Sequence, residues 1–232
     1  MTEHQIVTHE EWIAARRRFL AKEKEFTRLR DQLSRERREL PWERVEKPYV
    51  FHSEKGRESL ADLFEGRSQL IVYHFMYDPN WDIGCKSCSF WADNFNGVIA
   101  HLNQRDVSMV AVSRAPLAKL QAQARSLGWT FKWVSSADTD FNFDYHVSFT
   151  PADFARDAVY YNYATRKPTR TELPGVSAFF RDEGQIFHTY SAYSRGIDVL
   201  NTAYHYLDLA PKGRDEDALP YAMAWVKHRF AY

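Results

Sequence analysis

Two neighbouring stretches of the sequence decide the fold, QLIVYHFM at residues 69–76 and GCKSC at residues 84–88. The first consists mostly of aliphatic, β-branched and aromatic residues, so we predict a buried strand there. The turn sequence DPN at residues 78–80 ends this strand, and helical spacing predicts a helix over residues 87–102. The cysteines of the second stretch therefore lie where a loop becomes the N-terminus of a helix.

Strand and helix patterns alternate on both sides of this junction. Further strands are predicted at residues 49–51, 107–113 and 131–135, helical segments at 59–64, 116–127 and 195–207, and a hairpin at 176–181 and 185–190. Residues 138–170 show no clear periodicity, and we interpret them as a long irregular excursion of the chain. A β-α-β crossover makes the first strands parallel, and the hairpin makes the last pair antiparallel. We therefore predict an α/β fold, a thioredoxin-like mixed sheet flanked by helices.

The N-terminal residues differ in character from the rest. Thr8 and Glu11 have the spacing of a capping box, and the helical pattern stops before Pro41. One large apolar residue recurs every seven positions, at Trp12, Phe19, Phe26, Leu33 and Leu40. We predict an amphipathic helical extension at residues 1–46, followed by the thioredoxin-like domain at 47–232. A narrow apolar stripe on so charged a helix must pack on its own domain or on a partner subunit, and we predict a homodimer contact or clasp.

The composition excludes several classes of protein. Lys and Arg number 31 and Asp and Glu also number 31, which argues against nucleic-acid binding through bulk electrostatics. The longest apolar runs are far too short to span a bilayer. The first residues lack the basic and apolar segments of a secretory signal. We therefore expect a cytoplasmic protein that binds neither nucleic acid nor membranes.

Cys85 and Cys88 are the only cysteines in the chain. A disulfide framework is thereby excluded, and the C-x-x-C spacing indicates redox chemistry or metal binding. At a helix N-terminus the first cysteine meets free N–H groups and the positive end of the helix dipole, which stabilise a thiolate. The second lies one turn further on and can close a small disulfide with it. We predict Cys85 as the exposed, acidic nucleophile and Cys88 as the buried resolving thiol.

The residues around the pair suggest supporting roles. Lys86 and Ser87 are the two residues between the cysteines, and Lys86 adds a cation that favours the Cys85 thiolate. Asp82 precedes Cys85 by three residues and could oppose the thiolate, accept its proton or cap the helix. Trp81 and Trp91, with Phe90, could form an apolar rim for a disulfide substrate, although core packing is the expected role of at least one of them.

A metal site is a competing interpretation of the cysteine pair. Zinc needs four ligands, so histidines or carboxylates would have to complete the site. His74 on the predicted central strand and His188 on the hairpin are the candidates that could approach the thiols. The sequence has no second cysteine pair and no paired histidines at ligand spacing beside one. We therefore predict no metal and no cofactor, while an inert, buried C-x-x-C remains a further alternative.

Seven segments carry a family resemblance: YHFM at 73–76, GCKSCSFWAD at 84–93, VSRAP at 112–116, GWTF at 128–131, DFNFD at 140–144, HTYS at 188–191 and YLDLAPKGR at 206–214. Together they resemble the bacterial DUF899 family, which is assigned to the thioredoxin-like superfamily. The resemblance covers nearly the whole chain. It implies the thioredoxin-like fold and a thiol role, without a known substrate.

Similarity to better-known thiol proteins is more distant. SLADLF at 59–64, VAVS at 110–113 and GQIFH at 184–188 resemble peroxiredoxins. The peroxiredoxin Pro-x-x-x-Thr-x-x-Cys loop is not matched, because Pro79 lies six residues before Cys85 and no threonine lies between. The Trp-Cys-Gly-Pro-Cys motif of thioredoxin is also altered, since Gly84 replaces the tryptophan and Lys86-Ser87 replaces Gly-Pro. Thioredoxin-like folds place a cis-proline before the hairpin strand, facing the C-x-x-C, and on that basis we predict a cis bond at Pro174.

Three hypotheses for function follow. The first is a thiol–disulfide oxidoreductase that acts on protein or small-molecule disulfides, and it is the one we favour. The second is a peroxiredoxin-like peroxidase, in which Cys85 becomes a sulfenic acid and Cys88 condenses with it. The third is a non-enzymatic module that binds a metal or a partner.

Overall fold

The computed structural model describes residues 4–232 and divides the chain into two units, one ending at Pro41 and one covering Trp42–Tyr232. The sequence-based boundary follows residue 46. The difference arises because Glu43 and Arg44 pair with a strand of the second unit, opposite His188 and Phe187.

The first unit contains one long helix, α1, at His9–Arg38. Thr8 is its N-cap: its Oγ1 accepts a hydrogen bond from the Glu11 N–H at 3.3 Å, and the Glu11 carboxylate accepts one from the Thr8 N–H at 2.9 Å. The predicted capping box is thus confirmed. The side chains of Trp12, Phe19 and Phe26 are 53%, 56% and 64% exposed, so the apolar stripe is open along the helix.

The second unit holds ten strands and six helices. The strands are β1 (Glu43–Arg44), β2 (Val50–Ser53), β3 (Gly56–Ser59), β4 (Gln69–His74), β5 (Val107–Ser113), β6 (Trp133–Ser135), β7 (Val159–Tyr161), β8 (Ala164–Arg166), β9 (Gly175–Asp182) and β10 (Gln185–Tyr193). The helices are α2 (Lys86–Ala92), α3 (Ile99–Gln104), α4 (Leu117–Leu127), α5 (Phe141–Asp144), α6 (Pro151–Ala155) and α7 (Thr202–Leu207). Short 3₁₀ turns lie at Asp62–Phe64, Ser194–Leu200 and Arg229–Ala231.

Eight strands form one mixed sheet in the order β1-β10-β9-β4-β5-β6-β2-β3. Strands β4, β5 and β6 are parallel, whereas β9 is antiparallel to β4 and β10 is antiparallel to β9. This is the α/β, thioredoxin-like arrangement that the sequence predicts. Strands β7 and β8 form a separate hairpin within the excursion at residues 138–170.

The register brings the functional loops to one edge of the sheet. His74, the last residue of β4, pairs with Val112 near the end of β5 and with Gly175 at the start of β9. Because β4 and β5 are parallel, the loops that leave them lie at the same edge as the segment that enters β9. Cys85 and Cys88 follow β4, so they lie at this edge.

Two predicted helices are interrupted in the structure. The segment at residues 87–102 forms α2 and α3 with turns between them, where the Asn94 side chain donates to the Phe90 carbonyl at 3.0 Å and Asn96 accepts from the Thr130 N–H at 2.9 Å. Asparagine side chains that bond to the backbone compete with helix continuation. The segment at 195–207 is a 3₁₀ turn followed by α7, because Asn201 caps α7 through the Tyr204 N–H.

The two faces of the sheet pack into different cores. On β4, Val72 contributes to one cluster and Tyr73 to the other, as the alternation of a strand requires. The Tyr73 cluster contains Cys88 and Trp91, and the Val72 cluster contains Phe141. Helix α2 and its cysteines therefore lie against one defined face of the sheet.

Candidate active site

Gly84 allows the cysteine loop to pass close to the core. Its N–H donates to the Gln123 side-chain oxygen at 2.7 Å, and a Cβ at this position would lie 2.8 Å from the Phe75 ring. The N–H of Cys85 donates to the Met76 carbonyl at 3.0 Å. The loop is thus fixed to the end of β4 immediately before α2 begins.

Cys85 is the N-cap residue of α2, and its thiol is half-buried. The Cys88 thiol and the backbone N–H groups of Cys88 and Ser87 donate toward its sulfur, with an electrostatic contribution from Arg170. These donors outweigh the effect of burial and lower the pKa of Cys85 to about 6. These interactions favour the thiolate form of Cys85.

Cys88 lies one helical turn further on and is 2% exposed. Burial, the hydrogen bond to Cys85 and the charge of Cys85 raise its pKa well above the ordinary value, although the Met76 N–H donates to its sulfur at 3.4 Å. Both cysteines are free thiols. The prediction that Cys85 is the more exposed and Cys88 the more buried is confirmed, whereas their catalytic roles stay predictions.

The Lys86 side chain, which was predicted to favour the Cys85 thiolate, contacts the C-terminal segment of the chain, and its effect on Cys85 stays a prediction. Its ammonium donates to the Ala224 carbonyl at 3.1 Å and lies 6.0 Å from the centre of the Tyr221 ring. Both contacts are in the C-terminal segment of the chain. A cation that contributes to the lowered pKa of Cys85 is Arg170, an exposed residue shortly before β9.

Asp82 and Ser87 contribute differently from each other. The Asp82 side chain is exposed, and α2 has no side-chain N-cap bond, so the capping role considered for Asp82 is wrong. Instead, the Asp82 carbonyl accepts a hydrogen bond from the Tyr77 hydroxyl at 2.9 Å. Ser87 is half-buried and contributes its backbone N–H to the Cys85 sulfur.

Of the flanking aromatics, Trp91 belongs to the core. It is 3% exposed, and its indole N–H donates to the Ile197 carbonyl at 2.9 Å, so it is not part of an open rim. Trp81 and Phe90 are half-buried and pack at the margin of the same cluster. Phe90 makes edge contacts with Tyr204 and Trp225, and its ring therefore faces the C-terminal part of the chain.

The predicted cis bond at Pro174 is wrong: residues 4–232 contain no cis peptide bond. The Leu173 N–H donates to the Val147 carbonyl at 2.8 Å, and the Pro174 carbonyl accepts from the Tyr161 hydroxyl at 2.7 Å. These bonds hold the segment so that it enters β9 directly at Gly175. Pro174 still precedes the residue that pairs with His74 at the end of β4.

The two candidate metal ligands lie on the other face of the sheet from the thiols. His74 is 1% exposed and stacks on Phe141, and its Nε2 lies 2.8 Å from the Ser177 hydroxyl. Ser177 contacts Ser191 at 2.8 Å, which contacts His188 Nε2 at 2.7 Å. Burial lowers the pKa of His74 to about 3, so this chain of hydrogen bonds starts at a neutral imidazole. Within residues 4–232 no three His, Cys, Asp or Glu side chains form a metal-binding group.

Three buried or charged residues of this edge escaped the sequence analysis. Gln123 lies three residues after Leu120 and four before Leu127, on the buried side of α4, and a polar residue at such a position is a readable signal. Arg170 is the last residue of the aperiodic excursion and Glu172 follows two positions later, and neither gives such a signal. Glu172 accepts from Ser148 at 2.6 Å and from Arg114 at 3.0 Å, and burial raises its pKa to about 7.

Several solved structures are similar to this one. Peroxidoxin BcpB from Mycobacterium tuberculosis has a TM-score of 0.47 at 11% identity, over 70% of this chain and 94% of that chain. A cysteine-to-serine mutant of peroxiredoxin Q from Xanthomonas campestris has a TM-score of 0.46 at 14% identity, over 72% and 98%. The mitochondrial 2-Cys peroxiredoxin from Plasmodium falciparum has a TM-score of 0.40 at 14% identity, over 72% and 92%.

No helix within residues 4–232 is long and apolar enough to cross a membrane.

Two further comparisons concern the sequence. No curated protein matches the sequence. The sequence profile of a family described as a bacterial protein of unknown function, DUF899, matches residues 1–232. The chain that carries this dithiol at the N-terminus of α2 therefore belongs to the DUF899 family.

Proposed function

We propose that the protein is a thiol–disulfide oxidoreductase, with Cys85 as the nucleophile and Cys88 as the resolving thiol. The observation that carries the proposal is the contrast between the two sulfurs. Cys85 is half-buried with a pKa lowered to about 6, and Cys88, which is 2% exposed, donates a hydrogen bond to it. A thiolate that is accessible beside a protonated partner is the arrangement that disulfide exchange requires.

The reaction proceeds in two exchanges. The Cys85 thiolate attacks one sulfur of a substrate disulfide, forms a mixed disulfide with it and releases the other sulfur as a thiolate. Cys88 then gives its proton to this released thiolate and attacks the Cys85 sulfur, which breaks the bond to the substrate, forms the Cys85–Cys88 disulfide and releases the second substrate sulfur as a thiolate. Two electrons pass from the dithiol to the substrate. The Met76 N–H, 3.4 Å from the Cys88 sulfur, supports the charge that Cys88 must carry in this step.

The thiols act in this scheme without a metal or cofactor. The proposed substrate is a disulfide of a protein or of a small molecule.

Serine variants of the two cysteines test this scheme. The reduced wild type should reduce a chromogenic aromatic disulfide and become oxidised in doing so. Cys85→Ser should lose this turnover, because the nucleophile is removed. Cys88→Ser should accumulate a mixed disulfide on Cys85, visible as a mass increase of one substrate half. Since the chain has no third cysteine, the adduct has only one possible location.

Two results would contradict the proposal. Full disulfide reduction by both single variants would show that the pair does not act as described. Rapid consumption of hydrogen peroxide by the wild type, together with no reduction of disulfides, would assign the thiolate to peroxidase chemistry instead.

A further inference from the structure

Gln123 of helix α4 connects both sides of the Cys85 backbone. Its side-chain oxygen accepts a hydrogen bond from the Gly84 N–H at 2.7 Å, and its Nε2 donates to the Ser89 hydroxyl at 3.3 Å. The Ser89 hydroxyl donates in turn to the Cys85 carbonyl at 3.0 Å. One amide therefore contacts the residue before Cys85 directly and Cys85 itself through Ser89.

The surroundings leave this amide little freedom. Gln123 is 5% exposed, and Gly84 is buried so tightly that a Cβ would lie 2.9 Å from the Gln123 oxygen. A buried N–H that loses its acceptor is strongly disfavoured, so without the amide oxygen the loop at Gly84 would shift toward another partner. Such a shift would tilt the first turn of α2, which begins two residues later.

We propose that Gln123 is a positioning residue of the dithiol site, which fixes the loop and the first turn of α2 so that the Cys85 sulfur faces the N–H groups of Ser87 and Cys88. This inference rests on the proposed function. Gln123 acts through Gly84 and Ser89, which lie on either side of Cys85 in the sequence. The N–H groups at a helix start stabilise a thiolate only when they point at the sulfur, so their orientation determines how far the pKa of Cys85 is lowered.

Replacement of the amide by an isosteric apolar side chain tests this role. In Gln123→Met, the Gly84 N–H and the Ser89 hydroxyl lose their partner, and the pKa of Cys85 should rise by about one unit. The rate of Cys85 alkylation by iodoacetamide at pH 6 should then fall roughly fivefold, whereas the rate at pH 10 should be unchanged. A purely structural role would change thermal stability without moving this pH profile.

Two further variants complete the experiment. Gln121→Met is the matched control, because Gln121 lies on the same helix and bonds to Glu54 instead, and its profile should equal that of the wild type. Ser89→Ala removes one arm of the network and should raise the pKa of Cys85 by less than Gln123→Met does. It also keeps the test decisive if Gln123→Met does not fold.

The proposal is overturned if the pH profile of Cys85 alkylation in folded Gln123→Met coincides with that of the wild type. If only Ser89→Ala folds, a profile of that variant that coincides with the wild type overturns it. Failure of the proposed function would look different, because the wild type itself would then not reduce disulfides while the alkylation profiles could still separate the variants.

Discussion

At the scale of single residues, closeness in sequence does not decide which cation affects the pKa of Cys85. Lys86 is adjacent in sequence, yet its ammonium is bonded to the Ala224 carbonyl. Arg170 is 85 positions away, and its guanidinium contributes to the low pKa of Cys85. The sequence indicated Lys86 as a cation at the site and did not indicate Arg170, because the excursion that carries Arg170 has no periodicity from which to place it.

Neutralising each cation in turn distinguishes the two. Arg170→Ser should raise the pKa of Cys85 by roughly half a unit at low ionic strength and by less in 1 M salt, since an exposed charge is screened. Lys86→Met should change it by clearly less. The pH dependence of Cys85 alkylation, measured at both salt concentrations, gives these shifts. An equal or larger effect of Lys86→Met would mean that Lys86, and not Arg170, is the cation of the site.

At the scale of elements, helix α1 was largely readable from sequence, because its signals are local. The capping box at Thr8 and the stop before Pro41 are both present in the structure. The hairpin of β9 and β10 was readable for the same reason. The edge strands β1 and β3 were not, since Glu43–Arg44 and Gly56–Ser59 lack an alternation of apolar and polar residues.

The apolar stripe of α1 remains the basis of our proposal that this helix contacts a second copy of the chain. Deletion of residues 1–41, which spares strand β1, should lower the mass measured by light scattering from that of a dimer to that of a monomer. Replacement of Phe19 and Phe26 by Glu in the full chain should have the same effect, because both side chains are more than half exposed and lie on the stripe. A monomeric mass for the unaltered chain would refute the proposal.

At the scale of the whole molecule, the mixed sheet was predictable and the contacts at its edge were not. Strand β5 has the predicted bounds, 107–113, and the parallel and antiparallel pairings follow from the order of elements. The hydrogen bond between Gln123 and the cysteine loop and the electrostatic effect of Arg170 on Cys85 join residues far apart in sequence, and no local pattern encodes such a pairing. The hydrogen bonds that hold the segment around Pro174, from Leu173 to Val147 and from Tyr161 to Pro174, are likewise visible only in the folded chain.

The sheet also explains why the histidines take no part in the dithiol site. His74 follows Tyr73 on β4, and successive residues of a strand face opposite sides. Tyr73 shares the cluster of Cys88, so His74 faces away from it and bonds to Ser177. The sequence shows which residues could be metal ligands, but it does not show which face of the sheet each of them occupies. That assignment requires the register of the strands.

The central claim is that Cys85 is an accessible thiolate at neutral pH beside a protonated Cys88. It is tested most directly by iodoacetamide labelling of the reduced protein from pH 4.5 to 10, with tandem mass spectrometry to locate the label. We expect Cys85 to be labelled first, with a midpoint near pH 6, well below the value of about 8.5 for a free thiol, because the thiolate is the reactive form. Cys88 should remain unlabelled until much higher pH. Labelling of Cys88 before Cys85, or a Cys85 midpoint at or above about 8.5, would contradict the account.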